Sequence, residues 1–261
     1  MLKNRLIGVV TVKNGWAVQS VGYRRYLPLG KPECLVENLD RWGADEILVQ
    51  VIDRSITKAG PDYRLLDKIA HLGLGTPLIY GGGIRTIEEG IQAVNIGADR
   101  VIIDSLLHDD LSVARGLSEQ LGAQAVIASM PMSVGKSGAE WYSYVDKVTT
   151  PVNTEFAELI EQKMISEVLI IDWKHEGRPD CFDKALIKKF PFKQIPLIVF
   201  GGISNVEQMR ELYACSNVAA VAIGNFLNYK ENSIQYIKDK LASDRLRKSI
   251  YSTGYTLQAN V

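Results

Sequence analysis

Two stretches of the sequence could hold phosphate groups with bare backbone. LIYGGGIRT at 78–86 and LIVFGGISN at 197–205 are apolar runs that stop at paired glycines, just before a potential helix start. Backbone without side chains, close to a helix N-terminus, presents N–H groups that attract anions and phosphate above all. Residues that end the neighbouring apolar runs would complete each site. The predicted phosphate-binding residues are Gly82, Gly83 and Ser105 at the first site, and Gly201, Gly202, Gly224 and Asn225 at the second. An alternative is that the glycines only serve tight turns.

The elements that must position these glycines alternate along the chain. Short, continuous apolar runs are typical of parallel strands that are covered on both faces. They lie at 5–12, 46–52, 77–80, 100–104, 125–130, 167–172, 196–200 and 218–223. Helical patterns separate them, with Pro32 or Pro61 at the start and Gly43 or Gly73 just past the end. The pattern predicts an α/β fold, a (β/α)8 TIM barrel formed as one domain by residues 1–261. A doubly wound sheet is less favoured, because no G-x-G-x-x-G follows the first run.

The second half of the chain repeats features of the first. Pro77 and Pro196 each precede the apolar run of a glycine motif, and Glu46 and Glu167 each open an earlier run. We therefore expect two half-barrels related by a pseudo-two-fold axis. Two phosphate sites related in this way suit an elongated ligand with a phosphate at each end.

Composition excludes several classes of protein. The chain carries 30 basic and 30 acidic residues, so net charge does not favour nucleic acid or an anionic membrane as a partner. Its apolar runs are too short for a membrane span or a signal peptide. Cys34, Cys181 and Cys215 are odd in number and form no C-x-x-C pair, which favours reduced thiols in a cytoplasmic protein. No metal site and no cofactor is predicted.

Several motifs resemble one family. RLIGVVTVKNGWAVQ at 5–19, GADEILV at 43–49, YGGGI at 80–84, GADRVIID at 97–104 and EVLIID at 167–172 look like the cyclase subunit of imidazole glycerol phosphate synthase. The resemblance implies a barrel whose N-terminal face binds a glutaminase subunit and whose core conducts ammonia. It also implies a C-terminal face where two aspartates act as general acid and base on a doubly phosphorylated ribonucleotide.

The chain departs from that family at the catalytic positions. Thr11 and Pro131 stand where the family has its two catalytic aspartates, and Gln19 and Val51 replace a lysine and a third aspartate. A threonine hydroxyl does not titrate near neutrality and proline has no functional group, so neither can transfer protons as a carboxylate does. We expect little cyclase activity. Candidate substitutes near strand C-termini are Asp53, Asp104, Asp172 and Glu176.

The resemblance is closer at the opposite end of the barrel. The family places a ring of four charges around the ammonia entrance. The matching residues are Arg5, Glu46, Arg100 and Glu167, whose signs suit alternating ion pairs. The alternative is that strand starts are simply charged and solvated.

Three functional hypotheses follow. The first is a barrel subunit that conducts ammonia from a glutaminase to a sugar amidotransferase of O-antigen or lipopolysaccharide biosynthesis, because relatives without the aspartates are associated with such pathways. The second is a cyclase of histidine biosynthesis, a lyase, that uses substitute acids. The third is a scaffold or a phosphate-ligand-binding protein that conducts nothing.

Overall fold

The structure is a computed structural model that describes residues 4–135, 138–152, 154–229 and 232–249. Within these residues, twelve strands form one continuous sheet. The predicted domain of residues 1–261 also includes positions outside these ranges. In chain order the strands are β1 (Arg5–Lys13), β2 (Trp16–Val21), β3 (Arg25–Gly30), β4 (Glu46–Val51), β5 (Leu78–Gly81), β6 (Arg100–Ile103), β7 (Val126–Val134), β8 (Ala139–Ser143), β9 (Val148–Pro151), β10 (Glu167–Asp172), β11 (Leu197–Phe200) and β12 (Val218–Ile223).

Eight of these strands close into a parallel barrel. The order around it is β1, β4, β5, β6, β7, β10, β11 and β12, and β12 pairs in parallel with β1 to complete the circle. The predicted (β/α)8 fold is thus confirmed. The barrel strands match the predicted apolar runs to within a residue or two, except that β7 continues to Val134.

Helices connect the barrel strands. They are α1 (Pro32–Arg41), α2 (Arg54–Thr57), α3 (Tyr63–Ala70), α4 (Ile87–Ile96), α5 (Leu106–Asp109), α6 (Leu111–Leu121), α7 (Thr154–Glu161), α8 (Ala185–Lys189), α9 (Val206–Tyr213) and α10 (Ser233–Leu241). Residues close to the first turn determine where several of these helices begin. Pro32 occupies the first turn of α1, where its missing N–H costs nothing. Thr86 and Glu89 form a reciprocal capping box on α4, and Asn205 accepts a hydrogen bond from the Gln208 N–H at the start of α9.

Each half of the barrel begins with a long strand and a hairpin. The strands β1 and β7 both have nine residues, so they extend beyond their neighbours at the C-terminal end. The hairpin β2–β3 pairs antiparallel with β1, and β8–β9 pairs antiparallel with β7. They place the turns at 22–24 and 144–147 near the C-terminal mouth of the barrel.

Two apolar layers hold the barrel together. The larger layer lies between the strands and the helices. The smaller one fills the barrel interior with Ile7, Val9, Leu48, Ile79, Ile102, Ile127, Leu169, Ile171, Ile198, Phe200, Ala220 and Ala222. Branched side chains in layers are the usual filling of such a barrel. Within the described residues, no helix has the length and apolar character needed to cross a membrane.

Candidate functional site

The first predicted phosphate site lies in a cavity of about 420 Å³ at the C-terminal mouth. Gly82, Gly83 and Ser105 all line it. Its lining includes Gly81 and Ile102, whose strands form the barrel wall, so it opens directly above the barrel interior. The structure therefore brings the three residues together in the place that the sequence predicted, while phosphate binding there remains a prediction.

The second predicted site lies in a separate cavity of about 190 Å³. Gly201, Gly202, Gly224 and Asn225 all line it. The side chain of Asn225, however, exchanges two hydrogen bonds with the backbone of Ser20 on β2. Asn225 therefore fastens the first hairpin to the barrel with its side chain.

Packing alone requires glycine at these turns. A Cβ on Gly82 would lie 2.4 Å from the Val51 carbonyl oxygen, and one on Gly201 would lie 2.6 Å from the Asp172 carbonyl oxygen. Both residues also have positive φ, at 140° and 98°. These glycines are therefore required by the turns whether or not a phosphate binds. The prediction of an anion site rests on the cavities and on the other residues that line them.

Basic side chains surround the mouth, and the first βα loop at 21–32 supplies two of them, Arg24 and Arg25. Arg24 and Lys147 line the first cavity, and Arg178 lines the second. Arg24 and Arg178 also meet in a shallow hollow between the two cavities together with Arg25 and Lys174. The signal was present in the sequence as the basic pair of the first hairpin and the arginine after Gly177. These cations supply charge that would attract a phosphorylated ligand.

Glu176 of the second cavity is bonded to the first hairpin, whose Tyr23 lines the first cavity. Glu176 accepts hydrogen bonds from the Ser20 hydroxyl at 3.0 Å and from the Tyr23 N–H at 3.1 Å. Among the described residues, none lines both cavities. The hollow lined by Arg24 and Arg178 shares residues with both cavities, so the two sites are connected over the first hairpin. An elongated ligand with a phosphate at each end stays a prediction.

Aromatic side chains from both hairpins cover the mouth. Tyr23 and Tyr144 meet with ring centroids 5.3 Å apart, and Tyr142 stacks on Trp173 at 4.1 Å. Tyr23 and Trp173 also pack against the apolar barrel interior. The Tyr23 hydroxyl donates to Gln50 Oε1 at 3.2 Å. Both hairpins contribute to this lid, Tyr23 from the first and Tyr142 and Tyr144 from the second.

The two positions that match the family's catalytic aspartates have no carboxylate in the structure either. Thr11 is buried near the end of β1, opposite Gln50 of β4. Pro131 lies within β7, opposite Ile171 of β10. Proton transfer at the mouth would therefore depend on the candidate substitutes.

Two of the four candidate substitutes accept hydrogen bonds that hold loops in place. Asp172 is buried and accepts hydrogen bonds from the Asp183 N–H and from His175 Nδ1, both at 2.8 Å. Burial raises its pKa, although these bonds oppose the rise. Asp53 accepts from the Asn14 N–H at 2.9 Å and so ties the first loop to α2. Neither lines the two cavities.

The other two candidates do line the cavities. Asp104 lies in the first cavity and accepts a hydrogen bond from the Ser129 hydroxyl at 2.8 Å. Burial raises its pKa to about 7, against the opposing effect of that bond. Glu176 lines the second cavity, and burial raises its pKa to about 7 as well. Asp104 retains one oxygen that takes no hydrogen bond from the described residues, whereas the Glu176 carboxylate already holds the first hairpin.

Four charges close the N-terminal end of the barrel. Arg5 bridges Glu46 at 3.3 Å and also pairs with Glu167. Arg100 bridges the same two glutamates, Glu46 at 3.2 Å and Glu167 at 2.6 Å. The four predicted gate residues thus form a closed ring of alternating sign. We call it the charged ring.

Burial and charge act against each other in the charged ring. Burial raises the pKa of Glu46, and the attraction of Arg5 and Arg100 opposes that rise. Burial lowers the pKa of Arg5, but Glu167 and Glu46 outweigh it and the net pKa is raised. Arg100 is further fixed by hydrogen bonds to the Gln124 carbonyl at 3.0 Å and the Ser166 hydroxyl at 2.7 Å. The ring is therefore a pre-organised set of paired side chains rather than a set of free surface charges.

No group of three or more metal-ligating side chains that could hold a metal ion occurs within the described ranges.

The sequence matches the model of one known protein family over most of its length. The model of the histidine biosynthesis proteins matches residues 5–233. The chain belongs to this family.

Individual relatives within the family are distant but nearly full-length. A Vibrio vulnificus protein described as a putative imidazole glycerol phosphate synthase subunit hisF2 is 27% identical over 97% of this chain and 93% of its own length. The imidazole glycerol phosphate synthase subunit HisF of Staphylococcus epidermidis is 28% identical over 92% of this chain and 97% of its own length. A putative hisF2 subunit from Pseudomonas aeruginosa is 26% identical over 86% of this chain and 90% of its own length. Both kinds of name describe a subunit of a larger enzyme.

Proposed function

We propose that this chain is the barrel subunit of a glutamine-dependent amidotransferase and that it conducts ammonia without cyclising a nucleotide. A glutaminase subunit would bind the N-terminal face. Ammonia would pass the charged ring, cross the barrel and reach an acceptor enzyme at the C-terminal face. We propose a sugar amidotransferase of O-antigen or lipopolysaccharide biosynthesis as that acceptor, in the cytoplasm.

The observation that carries this proposal is the combination of a complete charged ring and an incomplete catalytic mouth. All four ring residues are present and paired, while Thr11 and Pro131 stand where proton transfer would need carboxylates. A chain that had lost its whole function would have no reason to keep a buried ion-pair network, since such networks contribute little stability for the desolvation they cost.

The barrel interior suits a small neutral molecule. Above the ring the side chains are apolar, and desolvating ammonium there would cost far more than desolvating ammonia. The interior is packed, so passage would occur through transient gaps as side chains move. Tyr23 and its bond to Gln50 cover the upper end, which means that delivery would require movement of the first hairpin.

A second candidate function is the cyclase reaction of histidine biosynthesis, a lyase activity carried out with substitute acids. Asp104 favours it, because its carboxyl group has a pKa of about 7 and one free oxygen in the first cavity. Against it, Glu176 is held by the hairpin and lines the other cavity. A third candidate, a scaffold or phosphate-ligand-binding protein, would keep the cavities but move no ammonia.

One reconstitution separates the three. The chain, its glutaminase and the acceptor enzyme are combined with labelled glutamine, and the transfer of amide nitrogen into product is measured against competing unlabelled ammonium. Efficient incorporation that external ammonium does not dilute supports conduction. Turnover of the family's ribonucleotide with ammonium salt supports the cyclase. If neither result is obtained, the scaffold or phosphate-ligand-binding role is favoured.

A further inference from the structure

The apolar interior of the barrel ends, near the C-terminal mouth, at a group of polar side chains. We propose that these residues, Gln50, Asp104 and Ser129, form a binding site for the ammonium ion, with the rings of Tyr23 and Tyr144 close by. Binding depends only on the mouth itself, whereas the arrival of ammonia through the barrel rests on the proposed function.

The three polar residues form the layer directly above the apolar interior. Side chains alternate between the two faces of a strand, so the residue two positions beyond an interior residue faces the same way. The pairs of interior and polar residues are Leu48 with Gln50, Ile102 with Asp104, and Ile127 with Ser129. All three polar residues line the first cavity, and Gly81 of β5 lies between Gln50 and Asp104 without a side chain. We call Gln50, Asp104 and Ser129 the polar layer.

Asp104 lacks a cationic partner. The Ser129 hydroxyl donates to one of its carboxylate oxygens at 2.8 Å, and the other oxygen accepts no hydrogen bond from the described residues. Burial raises the pKa of Asp104 to about 7, and the opposing effect comes from the Ser129 hydroxyl rather than from Arg24 or Lys147, which line the same cavity. A carboxylate that is removed from water without a counter-ion is unfavourable, so it gains from a proton or from a small cation that enters the cavity.

The groups around Asp104 suit a cation with N–H donors. Gln50 Oε1 accepts a hydrogen bond from the Tyr23 hydroxyl at 3.2 Å and retains a second lone pair. Burial raises the pKa of Tyr23 and of Tyr144, and the charge of Asp104 adds to the rise, so both rings lie near the carboxylate. Aromatic ring faces attract cations. Ammonium, which has four donors and no acceptor, satisfies the oxygens and the rings together.

Ammonia that crosses the barrel meets the polar layer first. It can take the proton of a neutral Asp104 carboxyl group, which leaves ammonium bound to the carboxylate. The reverse transfer returns the proton to Asp104 and frees ammonia. Because the pKa of Asp104 is about 7, both forms of the carboxyl group are populated near neutrality. The site would hold conducted nitrogen beneath the aromatic lid until the first hairpin moves.

NMR titration of the full-length chain at pH 8 tests the assignment. The probes are the chlorides of ammonium, methylammonium and potassium, with sodium chloride keeping the ionic strength constant. We expect ammonium to give a saturable shift of the Asp104 carboxyl carbon and of the Gln50 and Ser129 amides, with a dissociation constant on the order of 10 mM. Potassium is similar in size but has no N–H donors, so it should bind at least about fivefold more weakly. Equal binding of potassium would overturn the ammonium assignment, and tighter binding of methylammonium would overturn it in favour of an organic amine.

Variants locate the binding. Asp104→Asn preserves shape but removes the charge, so the saturable shift at the Gln50 and Ser129 amides should be lost. Ser129→Ala keeps the charge and removes the hydroxyl that positions it, so ammonium should bind about three- to tenfold more weakly. Asp53→Asn is the matched control, because it makes the same change of charge at the same end of the barrel and Asp53 does not line the cavity. Binding that survives Asp104→Asn, or that Asp53→Asn removes equally, would overturn the site.

The titration and the reconstitution with labelled glutamine give separate answers. If ammonium produces no shift in the isolated chain, this site is wrong even where labelled nitrogen reaches the product. If ammonium binds through Asp104 while no labelled nitrogen is transferred, the site stands and conduction is removed from the proposed function.

Discussion

Tyr23 and Tyr144 meet edge to face with their ring centroids 5.3 Å apart, and each comes from the turn of a different hairpin. The two hairpins occupy equivalent places in the two half-barrels, one after β1 and one after β7. Their contact therefore joins the halves of the barrel above its mouth. An aromatic pair of this geometry contributes roughly 0.5–1.5 kcal/mol beyond the area it buries.

Removing one ring should loosen both turns. In Tyr144→Ala we expect faster amide hydrogen exchange at residues 22–26 as well as around 144, because Tyr23 loses its neighbour. Tyr229→Ala is the control, since Tyr229 is exposed and its ring packs against Phe226. Unchanged exchange at 22–26 would show that Gln50 and Glu176 hold the first hairpin without help from the second.

Phosphate should bind independently in the two cavities. Crystals soaked in millimolar phosphate should contain an anion beside Gly82 and Gly83, and a second beside Gly201 and Gly202. Arg178→Ala should weaken only the second anion, because Arg178 lines that cavity and not the first. Equal loss at both places, or no density at either, would contradict the assignment.

Asp104 should make stability depend on pH. Its pKa is about 7 in the folded protein, above its ordinary value, so the folded state resists ionisation. The carboxyl group carries no penalty below about pH 4, where it is neutral in both states, and stability is lost as pH rises from there through 7. Asp104→Asn should therefore exceed the wild type in unfolding free energy by on the order of 3 kcal/mol at pH 8.

A second aspartate, whose pKa is shifted in the opposite direction, provides the control for the pH comparison. Asp110 caps α6, and its hydrogen bonds to Ser112 lower its pKa. Asp110→Asn should therefore not gain stability at alkaline pH. Denaturant unfolding of both variants and the wild type from pH 4 to 8 provides the measurement. If the difference in unfolding free energy between Asp104→Asn and the wild type stays constant with pH, the carboxyl group titrates normally.

Cyclase activity should be close to background. The assay supplies ammonium salt and the cyclase family's ribonucleotide, and it follows the loss of substrate. Thr11→Asp alone should help little, because Pro131 leaves the second role vacant. Each proton-transfer group is worth about 10²–10⁴-fold in rate, so Thr11→Asp with Pro131→Asp is the variant expected to gain. Robust turnover by the wild type would favour the histidine-pathway alternative.

The sequence was sufficient for the barrel because each strand has a local signature. Continuous apolar runs such as VAAVAI at 218–223, and caps such as Thr86 with Glu89, specify their elements from neighbouring residues alone. The outer strands of the two hairpins lack such a signature, because β3 and β9 are largely exposed and mix polar with apolar residues. Their pairing depends on β1 and β7 extending past the barrel, which is a property of the assembled sheet.

The positions of the site residues were predictable where they follow a strand end, as Gly82 and Gly201 do. What those residues do depends on contacts between distant parts of the chain. Asn225 pairs with Ser20, and Glu176 holds Tyr23, across separations that no local pattern encodes. These contacts between the first hairpin and the second half of the barrel could therefore not be foreseen, and the elongated ligand that the half-barrel symmetry predicted stays a prediction.

The charged ring gives the sharpest test of conduction. Among the described residues, Arg5→Ala leaves Arg100 as the partner of both Glu46 and Glu167, so the N-terminal opening becomes wider and more negative. Arg5 keeps a quarter of its side chain exposed, so we expect a loss of about 1–3 kcal/mol and a folded barrel. In the reconstituted complex, glutamine should still be hydrolysed, while ammonia escapes and the ratio of glutamate to amidated product rises. Arg41→Ala is the control, because Arg41 forms only an exposed ion pair with Glu37 on α1. A ratio equal to the wild type in Arg5→Ala would remove the gate assignment, and with it the main reason to regard this barrel as a conduit.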